Sequence, residues 1–240
     1  GRRSPAMPQS PQGFTDRIEA LRSDLVAQGR RVQALLEAAF SAFFRRDSAA
    51  AVEAVALDDE VDRLDVAIER DCVNLLTDAT RQGAALDPAQ LRSVLTLVKI
   101  NNELERIADA GVEVAQLVGH VKAIGATFPD TLRVMANSAV GILRDSTTSF
   151  AKLDPVLAKI VLQSQHAVTA FKDAVLRDSE ERIARGAMAL DVAFQLHEVA
   201  SQCELIADHC TNIAEQIIYQ TTGAVVRHTE AKWIEIPPKA

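Results

Sequence analysis

Aromatic residues are scarce in this chain. One tryptophan, one tyrosine and eight phenylalanines make up 4 % of 240 residues, and glycine (10) and proline (8) are also sparse. A sandwich or barrel needs β-branched and aromatic residues and frequent turns, so those classes are excluded. No uncharged run approaches the roughly 18–20 residues that a membrane span requires, and the start, GRRSPAMPQSPQG, lacks the apolar stretch of a signal peptide. Membrane insertion is therefore not expected. Residues 1–13 read as a disordered arm, or before Met7 as a cloning scar. There is no excess of cationic side chains: 26 Lys and Arg face 33 Asp and Glu, a net charge of −7. That argues against a general nucleic-acid binder, which needs a basic face. Cysteine is limited to Cys72, Cys203 and Cys210. The last two lie two turns apart on one predicted helix, about 10 Å along its axis, too far to bridge. Buried, small and apolar is the reading for all three, and the cytoplasm follows as the expected compartment.

What remains is rich in Ala, Leu, Val, Glu, Asp and Arg, the composition of long helices. From about Thr15 to Arg46 a helical stripe runs through Ile18, Leu21, Leu25, Val32, Leu35, Leu36, Ala39 and Phe43. Asp47-Ser48 offers an N-cap for a second helix reaching about Arg81, with Leu57, Val61, Leu64, Ile68, Cys72 and Leu75 on one face. Gln82-Gly83 ends it, and Asp87-Pro88 opens a third helix with Leu97, Ile100, Leu104, Ile107 and Gly111 inward. The punctuation then repeats. Phe128-Pro129-Asp130 opens a fourth helix bearing Leu132, Met135, Ala139, Ile142 and Leu143, and Asp154-Pro155 opens a fifth. Gly186 leads into a sixth that ends before Gly223. The expected fold is all-α: two tandem antiparallel three-helix bundles, residues 14–125 and 126–223, with a tail of unassigned structure at 224–240.

The repeat has a chemical signature. Glu105 falls on Glu204 and Asp109 on Asp208 when the chain is laid on itself with an offset of ninety-nine positions, and Ile107-Ala108 falls on Ile206-Ala207. Residues i and i+4 of a helix are neighbours, with Cβ atoms roughly 5–6 Å apart, so paired carboxylates there repel unless a cation joins them. In the second helix Asp58, Asp62, Asp65 and Glu69 form an acidic line beside the apolar one. Packed against the third helix, Asp58 and Asp62 would face Glu105 and Asp109, a four-carboxylate cluster suited to a hard or borderline cation. Acidic lines on amphipathic helices are ordinarily solvated, with Arg63, Arg70 or Arg106 available as partners. Spacing alone does not name an ion.

These segments, DDEVDRLDVAIE (58–69), ELERIAD (103–109) and CELIADHCTNIAEQIIYQTTG (203–223), resemble the phosphate uptake regulator (PhoU) family over about residues 14–228. The resemblance implies two three-helix bundles and metal binding by the Glu/Asp-x-x-x-Asp motifs, the ion being Mg, Mn, Fe or Zn. It further implies negative regulation of phosphate uptake and of phosphate-responsive signalling. The implied partners are a phosphate ABC transporter ATPase and a phosphate-sensor histidine kinase. Carried over residue by residue, Asp58, Asp62, Glu105 and Asp109 form a first metal site, and Glu204 and Asp208 a second. The second is degenerate, because Gln165 and Thr169 stand where two aspartates are expected. His197, on the same line as Ser201, Glu204 and Asp208, is a candidate substitute ligand. His209 matches the motif histidine but lies one step off the acidic line, where a local hydrogen bond is expected. In the first repeat Ala108 and Ala110 replace the motif's glycine and histidine. The oligomeric state stays open, a homodimer among the options.

Two other classes compete. A carboxylate-bridged metal oxidase would need Glu-x-x-His on inward-facing helices, and no Glu here is followed three residues later by His. A metal-free interaction bundle fits if the acidic lines are only solvated. Motifs for hydrolytic or nucleophilic catalysis are missing, so no catalytic residues are assigned.

Overall fold

The computed structural model describes residues 11–121, 127–229 and 232–236. Six long helices carry the architecture: α1 (Pro11–Arg45), α3 (Asp58–Arg81) and α4 (Pro88–Gln116) in one bundle, and α6 (Asp130–Lys152), α7 (Pro155–Ala184) and α8 (Leu190–Thr222) in the other. Two short helices accompany the first bundle, α2 (Ser48–Ala56) and α5 (Val118–Val121). The expected boundary between the bundles, at 125/126, falls outside the described residues, as do residues 1–10 of the N-terminal arm and 237–240 of the tail. No helix among the described residues is long and apolar enough to cross a membrane.

Local chemistry sets the helix ends. Asp87 and Gln90 form a capping box: the Gln90 amide N–H donates to Asp87 Oδ1 at 2.8 Å, and the Asp87 N–H donates to Gln90 Oε1 at 3.0 Å. Pro88 at the first helical position loses nothing there, since its N–H would be unpaired. Asp154 caps α7 in the same sense, accepting from the N–H groups of Val156 and Leu157. Asp47 caps α2 through Ala49 and Ala50. Gly83, Gly186 and Gly223 take positive φ after their helices, a conformation that glycine adopts without the usual Cβ strain.

The second helix of the expected fold is broken. It ends at Ala56, and a new helix starts at Asp58. The Leu57 N–H donates to Ala54 O at 3.2 Å, a tightened last turn, and the Leu57 side chain is 43 % exposed instead of lying on the core face. The restart is favourable because Asp58, Asp59 and Glu60 fill the first turn of α3, where the helix dipole stabilises negative charge. Leu64 is half-buried. The remaining expected core positions of the six helices are buried, and Cys72, Cys203 and Cys210 are buried free thiols.

The two bundles share one core. α4 packs along α8 and α1 along α6, and a single hydrophobic cluster runs from Phe14 to Val226. Close approach is built in at Gly111, where a Cβ would stand 2.5 Å from Leu35 Cδ2 and 2.8 Å from Leu36 Cδ2. At the entrance to the second bundle Phe128 stacks on Phe43, with centroids 4.9 Å apart, and meets Phe44 edge-on. The Arg46 guanidinium lies over the Phe128 ring.

The described residues of the tail form two strands. β1 (Val225–Thr229) and β2 (Lys232–Ile236) form an antiparallel hairpin with Val225 opposite Ile236 and Arg227 opposite Ile234. Val226 is buried in the common core, so the hairpin is anchored to the helical body rather than standing alone, where two strands would be marginal.

Candidate metal centre

The restart of α3 positions the first acidic edge. Asp58 is the first residue of the helix, and Asp62 and Asp65 follow on the same side; α4 lies alongside and contributes Glu105 and Asp109. Asn101 fastens the two helices: its Nδ2 donates to Asp65 Oδ1 at 2.6 Å and to the Asp65 carbonyl at 2.9 Å. Gln28 of α1 donates to the Val61 carbonyl at 2.7 Å, holding α3 from the other side.

Charge on this edge is uncompensated within the cluster. Burial, then Asp62 and Asp109, with a smaller part from Asp59, push Asp58 up to about 6. Burial and then Asp109, Asp65 and Asp62 also raise Glu105, against a small opposing effect of Arg106. Asp65 is raised by burial, then by Glu69 and Asp62. Asp62 and Asp109 both act on Asp58 and on Glu105, so α3 and α4 place these side chains within electrostatic reach of one another. Two of the three nearby arginines are engaged elsewhere, Arg63 with Glu60 at 2.6 Å and Arg70 3.7 Å from Asp71, and Arg106 alone acts on the cluster.

Asp58 Oδ1 is buried with no hydrogen-bond partner among the described residues. A buried carboxylate oxygen without a donor is costly, and either a proton or a cation would relieve it. The donor set is all oxygen, which suits a hard cation. Among the described residues, however, no three His, Cys, Asp or Glu side chains stand in an arrangement that could hold a metal ion. The donor chemistry is that of a hard-cation site, but the geometry is not: Asp58, Asp62, Glu105 and Asp109 would have to converge to hold an ion.

The second bundle is different. Glu204 and Asp208 on α8 face α7, where the places of the acidic line are taken by Gln165, Thr169 and Lys172. The Gln165 amide donates to Asp208 Oδ1, Thr169 Oγ1 donates to Glu204 Oε1 at 3.2 Å, and Lys172 Nζ donates to Glu204 Oε2 at 2.5 Å. Burial raises Asp208 even so, opposed by the Gln165 hydrogen bond. These carboxylates already have donors, and the edge does not fit a metal as it stands. His197 is not brought to them. It lies seven residues before Glu204, about 10 Å along the helix, and lines an apolar groove with Val175, Ile183 and Phe194. Its Nδ1 is buried without a partner among the described residues.

His209 corrects the expectation of a local hydrogen bond. Its Nδ1 lies 2.7 Å from Glu103 Oε2, on the other bundle, and Asn212 Nδ2 donates to the same oxygen at 3.0 Å. Burial opposes ionisation of Glu103, but the hydrogen bonds from His209 and Asn212 outweigh it and hold its pKa below the ordinary value. The only sequence signal for this contact was a histidine off the acidic line in one repeat, with alanine, Ala110, in the other.

A doubled three-helix unit with one carboxylate edge open and its counterpart internally hydrogen-bonded defines the class: a duplicated helical-bundle protein. The chain belongs to the PhoU family, whose model, described as the PhoU domain, matches residues 25–118 and again 132–217. It is 29 % identical over 219 residues to a phosphate-specific transport system accessory protein PhoU homolog of Pseudomonas aeruginosa, covering 90 % of this chain and 88 % of the relative. A homolog of the same name from Pseudomonas putida is 27 % identical over 223 residues, 92 % of this chain and 85 % of the relative. Among solved structures, PhoU from Pseudomonas aeruginosa superposes with a TM-score of 0.80 at 25 % identity, covering 88 % of this chain and 99 % of that one. The phosphate transport system regulatory protein PhoU from Streptococcus pneumoniae gives 0.81 at 20 % identity, with 89 % and 99 % covered, a likeness of fold.

Proposed function

We propose that this chain is a non-enzymatic accessory regulator of a phosphate-specific transport system, acting in the cytoplasm. In this reading it restrains phosphate uptake and phosphate-responsive signalling by docking on the transporter's ATPase and on a sensor histidine kinase. The observation that carries the reading is the family match across both halves of the chain, together with relatives named as accessory proteins of phosphate-specific transport. The first acidic edge is the site where a divalent or trivalent cation would bind, held by Asp58, Asp62, Glu105 and Asp109. Such an ion would supply positive charge to a surface that otherwise repels itself. The absence of three converged ligands among the described residues favours a second reading, a metal-free interaction surface.

Deleting the gene in its host tests the regulatory role. Phosphate uptake and a phosphate-responsive reporter should both rise in phosphate-rich medium and fall again on complementation; unchanged uptake and reporter output would refute the role. The metal is tested separately. A cation that binds only the folded state raises stability by mass action, so Mn²⁺ should raise the thermal midpoint of the chelator-treated protein. Replacing Asp62 and Asp109 together by Asn should abolish the shift. A midpoint indifferent to Mg²⁺, Mn²⁺, Fe³⁺ and Zn²⁺ leaves the metal-free surface as the reading.

A further inference from the structure

The two acidic edges are related by the internal repeat, and their differences are systematic. On α3 the positions are Asp58, Asp62 and Asp65; the same i, i+4, i+7 line on α7 reads Gln165, Thr169 and Lys172. The facing pair is retained, Glu105 and Asp109 on α4 becoming Glu204 and Asp208 on α8. The pairing across the helices is retained as well. Asp109 acts on Asp58, and Gln165 donates to Asp208; Asp62 and Asp65 act on Glu105, and Thr169 and Lys172 donate to Glu204. Two carboxylates have thus become neutral donors and a third has become an ammonium. Asn101, which holds Asp65 in the first repeat, has Ala200 at its equivalent position, in keeping with the lysine needing no such donor.

We propose that Lys172 is a built-in cation, seated in the second bundle where an external metal ion would sit in the first. Its ammonium is 2.5 Å from Glu204 Oε2, and both side chains are largely shielded, 20 % and 26 % exposed. At such a site a free cation would have to displace a tethered one whose local concentration is fixed by the helix. It would also have to outcompete the hydrogen bonds from Gln165 and Thr169, and a hard cation would gain only two charged ligands by doing so. The second edge therefore carries a tethered cation and a donor for each carboxylate, and any response to metal is confined to the first. This goes beyond the reading of the first edge and does not depend on it: the lysine closes the second edge whether or not the first holds an ion.

The test uses the full chain with Asp62→Asn and Asp109→Asn, so that the first edge is silent, and Mn²⁺ as the probe. In that background Mn²⁺ should not move the thermal midpoint. Adding Lys172→Met should lower the midpoint by several degrees in chelator. Mn²⁺ should then restore part of the loss, and a further Glu204→Gln change should remove the Mn²⁺ response. Lys172→Arg, which keeps the charge, should keep the chain insensitive to Mn²⁺. Three results would overturn the proposal: a Lys172→Met midpoint unchanged in chelator, a fall that no Mn²⁺ concentration relieves, or a Glu204-dependent Mn²⁺ response while Lys172 is present. If Lys172→Met does not fold, native mass spectrometry of the unaltered chain decides. No more than one Mn²⁺ per chain agrees with a closed second edge, and two, falling to one with Glu204→Gln, contradicts it.

Discussion

Asp58 illustrates how much one side chain can report. Its carboxyl titrates near 6 in the folded protein against an ordinary 3.8, because of burial and then its acidic neighbours. Between about pH 4 and 6 the unfolded chain has therefore released a proton that the folded chain still holds, and stability from this group declines as pH rises through that window. Asp58→Asn removes the effect. In chelator, the stability of the unaltered protein relative to Asp58→Asn should fall from pH 4 to pH 7, as measured by urea midpoints. A difference that does not change with pH would contradict the assigned electrostatics. Glu103 behaves in the opposite sense. Its pKa is held below 4.5, so its contribution is present above that value and fades as pH falls through the folded-state pKa. Its side chain and that of His209 are only 14 % and 11 % exposed. Glu103→Ala would strand the donors of His209 and Asn212, and a loss of about 2–4 kcal/mol in denaturant unfolding is expected.

At the scale of the element, Gly111 tests how tightly α1 and α4 are packed. Alanine in place of a mid-helix glycine gains up to about 1 kcal/mol of helix propensity. Here its methyl would meet two leucines that are fully buried, and overpacking of that kind costs typically 1–3 kcal/mol. Gly111→Ala should therefore be net destabilising, by about 1 kcal/mol in chemical denaturation, whereas a stabilised variant would mean that Leu35 and Leu36 repack freely. The inward role of Gly111 was legible in the sequence, as were the helix starts at Asp87-Pro88 and Asp154-Pro155, because those signals are local: a side-chain oxygen for free N–H groups, a proline where no N–H is needed, an apolar residue every three or four. Leu57 was misread for the same reason. It keeps the apolar spacing of Val61 and Leu64, which masks the break, although the acidic run Asp58, Asp59 and Glu60 is the local mark of a new first turn. The tail hairpin was missed because Val226 finds its place only against α8. The first acidic edge was legible because i, i+4 spacing within each helix survives packing. The donors that fill the second edge, and the link from Glu103 to His209, depend on which helices become neighbours, which spacing does not encode.

At the scale of the whole molecule, the shared core decides how the protein unfolds. α4 lies against α8 and α1 against α6, inside one continuous cluster. Separating the bundles would expose buried apolar surface on both, and at about 25 cal/mol per Å² such exposure is heavily unfavourable. The two bundles should therefore melt together: calorimetry should record one transition whose van't Hoff and calorimetric enthalpies agree. Two resolved transitions would mean that the interface between the bundles is weaker than their own cores.

The bridge from Glu103 to His209 and Asn212 bears on how this chain could have descended from a shorter one. With an offset of ninety-nine positions, Glu103 corresponds to Gln202, His209 to Ala110 and Asn212 to Glu113. A self-paired first half would set Glu103 against Ala110 and Glu113, an acid beside an acid. A self-paired second half would set Gln202 against His209 and Asn212, with no carboxylate between them. Each half has thus kept one side of a contact that neither could make with its own copy. Whatever symmetric ancestor the doubling records, the two halves now complement each other at this contact.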